Sequence, residues 1–204
     1  MQNTNGLTTQ QGETSSCSST IWCGEHSSQG ETLDQFLENV PETKHGNAAE
    51  YLAAAYEFAS RRSDDPRTQT GAVIVSGQSE AYGTNRLPGV IRILPERLKS
   101  ENKGKYLIHA ERDAICVAAA HGIRTSHAVM FAPWACCEQC GHAIISAKLQ
   151  EVVLHRDIMI CTPERWSDSV LLGLQLCRES GVLLTQYSGK LNREILFGAE
   201  RRIF

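Results

Sequence analysis

The 204-residue sequence contains no apolar run that approaches the roughly 20 residues needed to span a bilayer. Its N-terminus has neither the basic nor the apolar segment of a secretory signal. Positive charge is not in excess: 20 Lys and Arg stand against 23 Asp and Glu, giving a net charge of −3 and a pI of about 6.2. Without a basic surface, a protein has little counterion-release affinity for nucleic acid. We therefore expect a soluble, cytoplasmic protein whose partners are neither membranes nor long nucleic acids.

The composition predicts one globular domain between two less regular ends. Hydrophobic residues make up 41% of the chain, which is enough for a core, and the domain is expected over residues 46–190. Residues 1–45 are rich in Ser, Thr, Gln and Asn, which predicts a flexible N-terminal leader. A short helix near Leu33–Asn39 could dock on the body. For the C-terminal tail, residues 191–204, a last helix and packing across a neighbouring subunit are both open.

Strands alternate with helices along the expected domain. Periodicity and capping signals predict helices at about residues 48–62, 110–121, 138–148 and 163–179. Apolar runs predict strands at about residues 71–76, 81–83, 128–132, 152–154 and 182–185. The first two strands are expected to form a hairpin, and the later alternation favours parallel neighbours. The predicted fold class is α/β, with a mixed five-stranded sheet covered by helices on both faces in three layers, α/β/α.

Eight cysteines are many for a reducing compartment, where metal binding or catalysis is a commoner role than disulfide formation. Only the cysteines at 136, 137 and 140 are close enough in sequence to include a ligand pair. Cys137 and Cys140 lie at the predicted start of one helix, and His109 lies at the start of another. One imidazole and two thiolates make the ligand number of a catalytic zinc site, whose fourth position stays open for water.

Glu111, two residues after His109, is predicted to transfer protons. A carboxylate beside a metal could accept a proton from the metal-activated water and return it to a substrate nitrogen. Zinc can lower the pKa of its water from about 15.7 to about 7, which makes hydrolysis feasible near neutral pH. The alternatives are a structural zinc site or ordinary buried thiols for the three ligands, and a solvated first-turn acid for Glu111.

Further motifs accompany HAE at 109–111 and CEQC at 137–140. They are DDPRTQTGAVIV at 64–75, GTNRLPGV at 83–90, PERL at 95–98, KYLIHAERDAI at 105–115 and CCEQCGHAIISAKLQEVVLH at 136–155. Together they cover about residues 48–186, and their order and spacing resemble those of the cytidine and deoxycytidylate deaminase superfamily, whose pattern is H-x-E followed by P-C-x-x-C. Within it, the nearest resemblance is to the deoxycytidylate (dCMP) deaminases.

The resemblance implies a cytidine deaminase-like fold and a zinc-dependent hydrolase. Its substrate would be a free cytosine deoxynucleotide, dCMP or a 5-substituted dCMP, which becomes the uracil nucleotide with release of ammonia. It also implies Zn²⁺ held by His109, Cys137 and Cys140, with Glu111 as the catalytic proton shuttle. The expected substrate-binding residues are Asn85, Ala110 and Trp134, together with Arg86, whose side chain next to Asn85 could meet a 5′-phosphate. Because related enzymes often complete their pockets across subunit interfaces, a homo-oligomer is expected.

Three positions depart from the family pattern. Cys136 stands where the family usually has Pro, and we keep Cys137 with Cys140 as the C-x-x-C pair. Asp113 stands where Asn is common. Arg86 and a short LPGV segment follow Asn85, where nucleotide-regulated members have a more glycine-rich loop. The sequence therefore gives no support for allosteric control by deoxynucleoside triphosphates.

Other functions are open on the sequence alone. The chain could deaminate another base, as tRNA adenosine or guanine deaminases do, or it could be a catalytically silent zinc scaffold. A polynucleotide-editing deaminase is a third class, against which the net charge of −3 argues. Cys17, Cys23 and His26, with His45 further on, could form a second zinc site.

Overall fold

The computed structural model describes residues 30–204 and contains the predicted helices and strands in the predicted order. The helices are α1 (Leu33–Glu38), α2 (Ala48–Arg62), α3 (Lys103–Tyr106), α4 (Ala110–Ala120), α5 (Glu138–Ser146), α6 (Arg156–Met159) and α7 (Glu164–Glu179), with a 3₁₀ turn at Pro95–Arg97. The strands are β1 (Gly71–Ser76), β2 (Ser79–Thr84), β3 (Val129–Phe131), β4 (Glu151–His155), β5 (Leu183–Tyr187), β6 (Glu194–Phe197) and β7 (Glu200–Ile203).

The central sheet has five strands in the order β2-β1-β3-β4-β5. Strand β1 is antiparallel to both β2 and β3, whereas β3, β4 and β5 run parallel. The predicted mixed five-stranded sheet is confirmed. In this register, the start of β1, the end of β2 and the end of β3 meet at one edge, where the carboxyl ends of parallel strands commonly build a ligand site.

Successive side chains along each strand lie on opposite faces of the sheet and pack into two separate cores. Met130 lies in the core on one face and Phe131 in the core on the other, while Val152 and Val153 divide in the same way on β4. The first face is covered by α1, α4, α5 and α7, and the second by α2 and the β6–β7 hairpin. This arrangement confirms the α/β fold class with helices on both faces of the sheet.

The described part of the N-terminal segment and the C-terminal segment both pack against this body. The short helix expected near Leu33–Asn39 is α1, whose Leu33, Phe36 and Leu37 are buried in the first core. Residues 191–204 form the β6–β7 hairpin and bury Phe197 against the second face. The division of the chain at residues 45 and 190 stays a prediction. No helix within residues 30–204 combines the length and the apolar character that crossing a membrane requires.

The suggested second zinc group falls mostly outside the described residues. Cys17, Cys23 and His26 are not among residues 30–204. His45 is, and its Nε2 lies 3.0 Å from Oε2 of Glu151.

Candidate active site

The beginnings of α4 and α5 bring the three predicted metal ligands together. His109 is the N-cap residue of α4, Cys137 is the N-cap residue of α5, and Cys140 lies in the first turn of α5. Because α4 and α5 pack against each other on one face of the sheet, both helix starts reach the same point. Nδ1 of His109 lies 3.4 Å from Sγ of Cys137 and 3.5 Å from Sγ of Cys140.

The donor set fits a zinc ion. All three ligand atoms lie within 4.8 Å of one another. Tetrahedral Zn–S and Zn–N bonds place neighbouring donor atoms about 3.6 Å apart, close to the two nitrogen–sulfur distances here. In the described part of the chain, the group has three members, which is the ligand number of a catalytic zinc site rather than of a closed structural one.

The two thiols are electrostatically unlike. Hydrogen bonding from the Cys140 thiol, together with His109, lowers the pKa of Cys137 to about 4. The same hydrogen bond, with burial, raises the pKa of Cys140. The pKa of His109 is raised, chiefly by its hydrogen bond with Cys137. One sulfur is therefore a thiolate ready to ligate, and metal binding displaces the proton on the other.

Glu111 is buried beside these ligands, with 5% of its surface exposed. Burial, followed by the negative Cys137 thiolate, raises the pKa of its carboxyl group. A carboxyl group whose pKa lies closer to neutrality can both accept and donate a proton during turnover, which a proton shuttle must do.

A cavity of about 520 Å³ opens in front of the ligands. Of the predicted site residues, the structure brings His109, Glu111, Cys137, Asn85 and Trp134 to its wall, but not Arg86 or Ala110. Cys140 lies fully buried behind it. The wall consists of Asp65, Arg67, Thr68, Thr70, Asn85, Ser100, Lys103, Gly104, Leu107, His109, Glu111, Trp134, Ala135, Cys136, Cys137, Arg165, Trp166 and Val170.

The amide of Asn85 is fully engaged by the protein. Its Oδ1 accepts hydrogen bonds from the Ser63 hydroxyl at 2.7 Å and from the backbone N–H of Thr70 at 3.0 Å. Its Nδ2 donates to the carbonyl of Thr68 at 2.5 Å and to Asp65 at 3.4 Å. Asn85 thus fixes the loop between α2 and β1, and its contact with a nucleoside stays a prediction.

Arg86 points away from the cavity toward α4. Its Nε and Nη2 donate to the Asp113 carboxylate at 2.8 and 3.1 Å, and the same carboxylate accepts from the backbone N–H of Thr84. The hydrogen bonds with Asp113 raise the pKa of Arg86. Asp113, at the position where the family commonly has Asn, thus engages two nitrogens of the guanidinium, and a contact of Arg86 with substrate stays a prediction.

Trp134 forms part of an aromatic group at the metal end of the cavity. Its Nε1 donates to the Thr162 hydroxyl at 2.8 Å, and its ring packs edge-on against Phe197 with centroids 5.0 Å apart. Trp166 packs edge-on against both Trp134 and His109, with centroids 6.3 and 6.2 Å away. Trp166 is not among the site residues that the sequence predicts, because its place in the first turn of α7 carries no local signal of this contact.

Cys136 belongs to the packing of α7 and not to the ligand group. It is buried, and its Sγ lies 3.9 Å from Sγ of Cys177. The ligand group in the structure contains Cys137 and Cys140, as the C-x-x-C register requires.

A three-layer α/β/α fold, a His-Cys-Cys zinc site at two helix starts and a buried acid beside it define a zinc-binding protein of the deaminase class. The family comparison agrees with this class. Residues 46–156 match the family model described as the cytidine and deoxycytidylate deaminase zinc-binding region, and the chain belongs to this family.

Curated relatives include two mammalian proteins named deoxycytidylate deaminase. The human protein is 31% identical over 116 residues, which cover 53% of this chain and 64% of that protein, so the match spans less than two thirds of its length. The mouse protein is 27% identical over 155 residues, 72% of this chain and 83% of that protein.

A solved structure shares the fold. The dCMP deaminase of cyanophage S-TIM5, in complex with dCMP and dUMP, superimposes with a TM-score of 0.56 at 20% identity, covering 71% of this chain and 100% of that chain.

Proposed function

We propose that this protein deaminates a free cytosine deoxynucleotide, dCMP or a 5-substituted dCMP, to the uracil nucleotide and ammonia. The observation that carries the proposal is the convergence of His109, Cys137 and Cys140 beside the buried Glu111 on the wall of one cavity. The names of the mammalian relatives and the nucleotides bound to the cyanophage protein support cytosine deoxynucleotides as the substrate class.

His109 Nδ1 and the sulfurs of Cys137 and Cys140 would hold the zinc ion. Bound there, zinc supplies the Lewis acidity that makes water a competent nucleophile near neutral pH. The ligands come from two helix starts that the core fixes, so the site is preorganised before substrate enters.

Glu111 carries the protons of the reaction. Its carboxylate takes a proton from the attacking water and delivers it to N3 of cytosine. A second proton from the same oxygen passes through Glu111 to the 4-amino nitrogen, the C4–N bond breaks, and ammonia leaves. The buried setting favours this role because it raises the pKa of the carboxyl toward the working pH.

The two tryptophans at the metal end of the cavity would confine the base. Trp134 and Trp166 offer apolar ring surface next to His109, and both lie on the cavity wall. Such walls exclude water from a planar base and restrict its tilt, which places C4 toward the metal ligands.

The test is ammonia release by the zinc-loaded protein from dCMP, a 5-substituted dCMP, dCTP, deoxycytidine, AMP, guanine and a tRNA stem-loop. We expect turnover with dCMP or the 5-substituted dCMP to exceed that with every other compound. Turnover confined to guanine or to RNA would contradict the proposal, and absence of turnover with all of them would favour the silent scaffold.

A further inference from the structure

The first two turns of α7 contribute a wall of the cavity that the family match does not include. The matched region ends at residue 156, whereas Arg165, Trp166 and Val170 line the same cavity as the metal ligands. Residues beyond the shared zinc-binding region can therefore decide which substrate the site accepts.

Three cationic side chains lie on the cavity wall, and two of them have polar partners. Nζ of Lys103 lies 2.6 Å from Oδ2 of the buried Asp65, and Nη1 of Arg67 donates to the Ser100 hydroxyl at 3.2 Å. Arg165 is exposed and makes no ion pair or side-chain hydrogen bond with any residue between 30 and 204.

Lys103 is not free to leave its partner. Asp65 also accepts hydrogen bonds from the backbone N–H groups of Arg67 and Thr68 at 2.9 and 3.1 Å, which hold its carboxylate in the interior. Moving Lys103 onto a ligand would strip a buried carboxylate of its counter-charge, which is costly. Arg165 can bind an anion without breaking any contact within the described part of the chain.

The backbone that carries Arg165 is fixed relative to the metal ligands. Trp166 packs edge-on against His109 with ring centroids 6.2 Å apart, and its backbone N–H donates to the carbonyl of Pro163 at 2.8 Å. The neighbouring residue therefore lies at a set distance from the place where the base reacts, while its long side chain keeps the reach to meet the other end of a nucleotide.

We propose that Arg165 binds the 5′-phosphate of the substrate and thereby selects a nucleotide over a nucleoside. The inference rests on the proposed function, since it concerns the same cavity. A guanidinium presents paired N–H donors that match phosphate oxygens, and such charge-assisted bonds are stronger than neutral ones.

The kinetic test compares dCMP with deoxycytidine, which lacks the phosphate. We expect Arg165→Gln in the zinc-loaded protein to lower kcat/KM for dCMP on the order of 10- to 100-fold, the range for loss of a charged hydrogen bond, and to leave deoxycytidine unaffected. Arg165→Lys should retain part of the dCMP activity. The control Arg178→Gln removes the same charge from the far end of α7, outside the cavity. It should leave kcat/KM unchanged for both dCMP and deoxycytidine.

A binding test makes the inference independent of turnover. Calorimetry with 2-deoxyribose 5-phosphate measures affinity for the sugar phosphate without a base, and Arg165→Gln should weaken it about 10-fold or more. If the wild-type protein deaminates no cytosine compound, the proposed function fails. The binding measurement then decides by itself whether Arg165 contacts the phosphate.

Three results would overturn the assignment. Equal losses with dCMP and deoxycytidine would mean that Arg165 is structural. If Arg165→Gln bound 2-deoxyribose 5-phosphate as tightly as the wild-type protein does, or if the wild-type protein did not bind it, Arg165 would not contact the phosphate. A selective loss in Arg67→Gln instead would place the phosphate at the loop before β1.

Discussion

Glu111 and Asp65 are the two carboxylates of the cavity wall, and only one has a cation bound to it. Asp65 pairs with Lys103, whereas Glu111 is buried against the metal ligands. We expect Glu111→Gln, which keeps the shape but cannot carry a proton, to lower kcat about 10²- to 10⁴-fold. Because Glu111 is not in the ligand group, zinc content measured by metal analysis should stay at the wild-type level.

The matched control for that substitution is Glu57→Gln, an exposed position on α2 that pairs with Arg61. It makes the same chemical change far from the cavity and should leave kcat unaltered. A Glu111→Gln protein with wild-type turnover would contradict the proton-transfer role, and one that lost its zinc would show a structural role instead.

His155, at the end of β4, makes the stability of the fold pH-dependent. Its ring is fully buried, with Nδ1 2.8 Å from the Tyr56 hydroxyl and Nε2 3.0 Å from the carbonyl of Gly189. These partners suit a neutral ring that accepts from Tyr56 and donates to Gly189. Burial lowers the pKa of His155 below its ordinary value of 6.5.

The sign of this effect follows from proton binding. Below pH about 6.5 the unfolded chain binds a proton at His155 that the folded protein still excludes. The stabilising contribution is therefore complete above that pH and is lost as the pH falls toward the lowered value. Urea unfolding of zinc-loaded protein should show a smaller decline in the free energy of unfolding from pH 7 to 5 in His155→Gln than in wild type. Equal declines would contradict the assignment.

Gly173 sets the distance between α7 and the metal ligands. A Cβ atom on Gly173 would lie 2.2 Å from the carbonyl oxygen of Cys136 and 2.7 Å from the carbonyl carbon of Cys137. Since these are backbone atoms, either α7 or the ligand segment must move. We expect Gly173→Ala to lower the free energy of unfolding by about 1–3 kcal/mol and to weaken zinc binding in a competition assay with a chromogenic chelator.

Gly46, in the turn before α2, provides the control for the Gly173 substitution. Its φ is ordinary, and nothing lies within 4 Å of a Cβ built there, so Gly46→Ala should not lower stability or zinc affinity. If Gly173→Ala destabilised the protein without changing zinc affinity, the helix contact would serve packing alone.

The sequence alone predicts those features that depend on residues close together along the chain. The alternation that divides Met130 from Phe131 and the ligand spacing at Cys137 and Cys140 are visible in the sequence. The contact of Trp166 with His109 joins residues that are close only once α7 has docked on α5, so no local pattern indicates it.

The C-terminal hairpin and the ion pair of Arg86 are two further features that the sequence alone does not predict. Gly198 and Ala199 both have positive φ, as a tight hairpin turn requires, but only the glycine announces it in the sequence. β6 carries an apolar run, but β7 is the charged segment ERRI, so the glycine has no pair of apolar strands around it and the hairpin is not evident from the local sequence. The pairing of Arg86 with Asp113 depends instead on the packing of β2 against α4, which spacing alone does not reveal.

At the scale of the whole molecule, the metal ligands join the two halves of the sheet. His109 begins α4, which packs on the antiparallel strands β1 and β2, while Cys137 and Cys140 begin α5, between the parallel strands β3 and β4. A zinc ion held by all three would therefore link segments that are brought together only in the folded chain.

Removing zinc should consequently destabilise the entire unit and not only its active site. An ion present at 100 times its dissociation constant, and bound only by the folded state, adds about 2.7 kcal/mol of stability, which for a chain of this size corresponds to roughly 5–10 °C in melting temperature. We expect a chelator to lower the melting temperature of wild-type protein by that amount and to leave the Cys137→Ser variant unchanged. Equal melting temperatures for zinc-loaded and zinc-free wild type, with metal content verified, would show that the ion serves chemistry without linking the two halves.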